Sequence, residues 1–178
     1  SIILEKLYKN FLLSDDIEIS LEANPSTVEK RKFKDFSSIG VNRISIGVQS
    51  FNDNDLKRLG RKHSANDAIK AIDIAKSSFY NVNFDLIYGR QFQNLNEWEK
   101  ELEFALSLES QHLSLYQLTI EEVLPLKIFI MQVNLKGYPV KNYQEDFLLQ
   151  LINCVKKRIL ILMKYQILQK INLNVSII

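Results

Sequence analysis

Four short apolar segments, each set off by helical patterns, constrain this chain more than anything else in its sequence. Ile17 to Leu21, Arg43 to Val48, Val82 to Ile87 and His112 to Leu118 are rich in Ile, Val, Leu or Phe and end in turn residues, so each reads as a strand. Helical spacing fills the intervals. Leu4, Leu7, Tyr8 and Phe11 suggest a helix before the first strand. Ser26 to Glu29 fits a capping box, and the helix through Phe33 and Phe36 stops near Gly40. Asn52 or Asp53 can cap a short helix carrying Leu56 and Leu59. Ala65 to Phe79 places Ala68, Ile69, Ala71, Ile72 and Ala75 on one face. Asn96 can cap a helix carrying Trp98, Leu102, Ala105, Leu106 and Leu108. Strands alternating with helices in units of about 30 residues predict an α/β chain with a parallel sheet. Four strands do not close a barrel, so a half-barrel or open sheet is expected.

The strands are two-faced. Side chains alternate across a strand, so Ile17, Ile19 and Leu21 oppose Glu18, Ser20 and Glu22. Likewise Ile44, Ile46 and Val48 oppose Ser45, Gly47 and Gln49, while Val82, Phe84 and Leu86 oppose Asn83 and Asp85. Leu113 and Leu115 oppose His112, Ser114 and Tyr116. An ordinary (β/α)8 barrel fills its interior mainly with bulky branched residues. A polar inner face must instead be solvated or satisfied by a polar ligand. Glu22, Gln49, Asp85, Gln117 and Thr119 sit toward the strand C-termini, where parallel α/β folds bind ligands. The competing reading is an antiparallel sheet with one wet face.

Composition narrows the classes. The 178 residues are 46% hydrophobic and carry a formal charge of +2, which gives no electrostatic case for nucleic acid. The single cysteine, Cys154, excludes an internal disulfide, a four-cysteine zinc site or a cluster site, and suits a reducing cytoplasmic setting. No run of about 18 apolar residues predicts a membrane span. Ser1 to Lys6 do not read as a secretory leader, and an opening on Ser1 suggests a chain that begins inside a longer one. From Phe147 to Ile178 there is no Asp or Glu. That tail reads either as a basic amphipathic helix pair or, the reading preferred, as a degraded or out-of-frame extension.

Five words then appear in order: Leu21-Glu22-Ala23-Asn24-Pro25; Gly40 to Phe51 (GVNRISIGVQSF); Leu59-Gly60-Arg61-Lys62-His63; Asn83 to Gly89 (NFDLIYG); and His112 to Glu121 (HLSLYQLTIE). Together they resemble the oxygen-independent coproporphyrinogen III oxidase-like family of radical S-adenosylmethionine (SAM) proteins, over roughly Ile17 to Glu121. The wording looks closer to the haem-chaperone branch than to the oxidase branch. The resemblance implies a partial parallel (β/α) barrel of the radical SAM type over residues 1–121, with 122–178 as a divergent extension.

It also implies roles for matched positions. Glu22 matches a strand-end carboxylate that contacts SAM, and Gln49 and Asp85 match residues suited to ribose hydroxyls. Arg61, twelve residues after Gln49, matches a guanidinium that pairs with the SAM carboxylate. Thr119 matches a position beside SAM, reached through backbone. The plainer alternatives are a loop cap for Asp85, a surface charge for Arg61 and a turn residue for Glu22. His63, His112 and Cys154 read as structural.

The intact family binds SAM and a [4Fe-4S] cluster held by cysteines spaced C-x3-C-x2-C, and its chaperone branch carries haem. This sequence has no such triplet, and it has Arg90-Gln91-Phe92-Gln93 where Pro and Gly are expected. The expectation is therefore a haem chaperone-like piece that cannot bind the cluster alone. A complementing N-terminal fragment, an oxidase ancestry in porphyrin biosynthesis, and a non-catalytic binding module or remnant are the alternatives. A Schiff-base aldolase barrel is set aside, because no strand ends in lysine.

Overall fold

The computed structural model describes residues 2–118 together with 146, 147, 149, 150, 152–154 and 156. The order is α1 (Ile2–Asn10), β1 (Ser20–Ala23), a 3-10 turn (Pro25–Thr27), α2 (Lys30–Ser38), β2 (Arg43–Gln49), α3 (Asp53–Arg58), α4 (Ala65–Lys76), β3 (Asn81–Tyr88), α5 (Leu95–Ser107) and β4 (His112–Gln117). The strands form one sheet in the order β1-β2-β3-β4, and every pairing is parallel. This is the α/β, partial-barrel architecture expected, and the antiparallel alternative is excluded.

The alternation sorts the faces as read. Ile44, Ile46, Val48, Val82, Phe84 and Leu86 are at most 1% exposed. Helix α4 covers them with Ala68, Ala71, Ile72 and Ala75, and its three alanines bring the helix backbone close to the sheet. Phe33 of α2 meets Phe79 edge-on at 5.5 Å and closes one end of this core. A second cluster gathers Tyr88, Trp98, Leu102, Phe147 and Cys154. Residues 146–156, where described, are helical, and Phe147 is fully buried there, 6.5 Å from the Tyr88 ring.

Three local expectations are corrected. The first ladder strand is Ser20–Ala23 rather than Ile17 to Leu21. Asn42 intercepts the earlier residues: its side chain accepts from Ile19 N at 2.8 Å and donates to Ile17 O at 2.7 Å. Ser26 does not cap α2. Asn24 takes that role over Pro25–Thr27, accepting from Ser26 N at 3.1 Å, and α2 starts only at Lys30. Glu29 pairs instead with Lys32 at 2.7 Å. Helix α5 is capped by Asn94, not Asn96, in a capping box with Glu97.

Candidate functional site

Strand β2 delivers the centre of the site. Its side chains alternate through Gln49, but its register with β3 is regular only to Ile46 and then shifts, so that Gln49 pairs with Leu86. Gln49 itself has φ +72°, a left-handed conformation unusual for a residue with a side chain. That twist turns its amide back over the strand. A Cβ built on Gly47 would stand 3.1 Å from Gln49 Nε2 and 3.4 Å from Arg61 Nη2. The carbonyl of Ala23, at the end of β1, lies 3.9 Å from the same point. Gly47 is thus the floor of a cradle walled by an amide, a guanidinium and a strand-end carbonyl.

Arg61 reaches the cradle from the far side of α3. That helix ends with Gly60 at φ +70°, and Arg61 N donates to Leu56 O at 2.8 Å across the cap. Arg61 Nη2 donates to Gly47 O at 3.2 Å, while its buried Nε has no protein partner. The guanidinium keeps donor capacity for an anionic group such as a carboxylate. His63, two residues on, is buried with Nε2 3.0 Å from Val48 O, consistent with the structural role expected of it.

Next to the cradle the polar face forms a connected patch. Asn83, only 2% exposed, donates from Nδ2 to Ser45 Oγ at 2.7 Å and to Asp85 Oδ1 at 2.8 Å. Ser114 Oγ donates to Asn83 Oδ1 at 3.2 Å, and Ser45 Oγ lies 3.4 Å from both Asp85 oxygens. The patch satisfies its own polar atoms, as burial demands, and leaves Asp85 partly accessible. Glu22 is exposed and shares a transverse row with Ser45 and Asn83. The structure therefore brings Gln49 and Arg61 together and joins Asp85 to its neighbours. It places Glu22 on the same face, and Thr119 lies outside the described residues.

Two groups escaped the sequence reading. Gly47 was read only as a member of the polar face. Of the four residues that replace the expected Pro and Gly, the sequence suggests only that a bulky Phe92 alters the loop over the strand end. Phe92 adopts φ +62°, and its ring sits 5.0 Å from the Arg58 guanidinium. Arg90 is buried at 3% exposure with carboxylates from two other elements.

A four-stranded parallel sheet with a polar inner face and polar groups gathered at its strand C-termini defines an α/β protein of the partial-barrel class. Residues 2–105 match the family model of the radical SAM superfamily, and the chain belongs to that superfamily. Its sequence is 48% identical to the heme chaperone HemW of Haemophilus influenzae over 120 residues, which are 67% of this chain and 31% of that protein. Against the Escherichia coli heme chaperone HemW it is 49% identical over 110 residues, 61% of this chain and 29% of that protein. The solved coproporphyrinogen III oxidase (HemN) from Escherichia coli superposes with a TM-score of 0.73 at 26% identity, covering 88% of this chain and 36% of that one. The chain spans about a third of the length of the curated relatives it matches.

The cradle suits part of the cofactor set of this superfamily. An amide and a carboxylate suit ribose hydroxyls, and a guanidinium with an unpartnered Nε suits a carboxylate. The cluster does not fit. The one cysteine of the sequence is buried against the Trp98 cluster, and three thiolates cannot come from it. Among the described residues, no helix is long and apolar enough to cross a membrane.

Proposed function

We propose that this chain is the SAM-contacting portion of a haem chaperone-like radical SAM protein, and that alone it binds SAM without assembling a [4Fe-4S] cluster. The observation that carries this is the convergence of Gln49 and Arg61 over Gly47. Arg61 holds the SAM carboxylate, Gln49 and Asp85 hold the ribose hydroxyls, and Glu22 accepts from the ammonium or a hydroxyl. Thr119 contributes backbone. Haem or a porphyrin is the cargo of the whole assembly, by analogy with the HemW relatives. A cysteine-bearing N-terminal fragment is the partner that would supply thiolates, in a reducing cytoplasm where they persist.

Calorimetric titration of the purified chain with SAM tests the cradle, with Arg61→Met as the control. Saturable binding that Arg61→Met abolishes is expected. Anaerobic iron–sulfur reconstitution tests the second half of the reading. A stable four-iron cluster on this chain by itself would sink it. The likeness to HemN favours a second reading, coproporphyrinogen oxidation as the ancestral activity. A complementing fragment with an extra cysteine just past its cluster triplet would select that branch.

A further inference from the structure

One buried cluster of charge takes no direct part in the cradle. Arg90, just after β3, donates from Nε to Asp55 Oδ2 at 3.1 Å, and its Nη2 stands 3.0 Å from the same oxygen. The same Nη2 lies 2.5 Å from Glu101 Oε2 of α5, and Nη1 donates to the carbonyl of Ile87. The side chains of Arg90, Asp55 and Glu101 are 4%, 10% and 8% exposed. Ions buried this deeply are not an economical way to stabilise a core, since apolar residues of similar volume do as well or better. Their use lies in what else they hold.

Each carboxylate has a second oxygen, and each is spoken for. Glu101 Oε1 accepts from Ser50 Oγ and from Phe51 N, both at 2.7 Å. These are the two residues that follow Gln49, and Ser50 is fully buried. A left-handed Gln49 persists only where its neighbours over-determine it, and this carboxylate fixes both of them. Asp55 Oδ1 accepts from Arg58 at 2.9 Å, inside α3. The same helix hands over Arg61 through the bond from Arg61 N to Leu56 O. Gln93 braces the centre, accepting from Gly89 N at 2.8 Å and from Arg90 N at 3.2 Å. Two arms thus leave one guanidinium, and each ends on a segment bearing one wall of the cradle.

We propose that Arg90 is a positioning residue for the cradle, acting through Glu101 on Gln49 and through Asp55 on Arg61. The consequence for a ligand rests on the SAM reading above, whereas the placement of the two side chains does not. The test compares the isotopically labelled full chain with Arg90→Lys, with Ser50→Ala, and with the triple variant Arg90→Met, Asp55→Asn, Glu101→Gln. The readouts are the side-chain N–H signals of Gln49 and Arg61 by NMR, the thermal midpoint, and SAM binding by calorimetry. The triple variant leaves no buried charge unpaired, so it reports even where Arg90→Lys does not fold.

Both signals shift in the Arg90 variants, and SAM affinity falls about tenfold or more, as a small misplacement of binding groups produces. In Ser50→Ala, which removes a buried donor to Glu101 and the acceptor of Asn52 N, the Gln49 signal moves further than that of Arg61 and the midpoint falls. Unmoved Gln49 and Arg61 signals in a folded Arg90 variant overturn the proposal, as does an unmoved Gln49 in Ser50→Ala. Signals that shift as stated in a chain that binds no SAM uphold the positioning role and overturn the SAM reading instead.

Discussion

At the scale of single residues, Gly47 decides how near Gln49 and Arg61 come to the sheet. The atoms a new Cβ would meet are the far ends of two flexible side chains, which can swing away. Gly47→Ala should therefore leave the unfolding free energy within about 1 kcal/mol of the parent while SAM binding falls sharply. Parallel urea unfolding and calorimetry separate the two effects. Asp67 gives a pH-dependent prediction. The Ser64 backbone N–H first, and its hydroxyl second, hold the Asp67 carboxyl below its ordinary value of 3.8. A depressed carboxylate contributes stability that is in full above the ordinary pKa and is lost as pH falls through the folded value. Asp67→Asn should thus remove a contribution seen at neutral pH, and the difference from the parent should vanish in strong acid. Thermal unfolding across that range checks the sign.

At the scale of elements, α5 is the strut on which both the second core cluster and the Arg90 network depend. Its cap, Asn94, accepts from Glu97 N at 3.0 Å, and Asn94→Ala should cost about 1 kcal/mol in urea unfolding. Elements with strong periodicity were legible without coordinates: the faces of β2 and β3 and the alanine stripe of α4 follow from spacing alone. Boundaries were less so. Ile17 to Ile19 have strand composition, yet the Asn42 side chain takes up their backbone groups, a contact across 23 to 25 residues that no local pattern encodes. Ser26 and Glu29 make a valid capping box on paper, but Pro25 after Asn24 starts a turn one step earlier. The candidate site was legible as residue types at strand ends, because parity and resemblance pointed there together. Its buried support was not. Ser50 and Glu101 meet across 51 residues, and Arg90 and Asp55 across 35, so only the folded chain reveals them as one network.

At the scale of the whole molecule, two aromatic layers join the sheet to residues far along the chain. Tyr88 packs against Trp98 at 5.5 Å, and the Phe147 ring lies 6.5 Å from Tyr88. Phe147→Ala should destabilise the chain by about 3–5 kcal/mol, read from the shift in urea midpoint. A negligible shift would detach that helical stretch from the cooperative unit. Cys154, 4% exposed in the same cluster, offers a reporter of that unit. Its thiol should react with an aromatic disulfide reagent slowly in buffer and at once in denaturant, because labelling waits on opening.

The strand order β1-β2-β3-β4 has a consequence for how such a chain is made. Among the described residues each strand pairs only with its neighbours in sequence, so an emerging strand finds its preceding partner already made. A chain leaving the ribosome can therefore add strands one at a time on the edge already in place. Each addition still closes a long parallel crossover, such as Arg43 to Asn81, which makes the steps individually slow. The sheet is thus suited to growth at the pace of translation, and refolding from denaturant should be the harder route to the same structure.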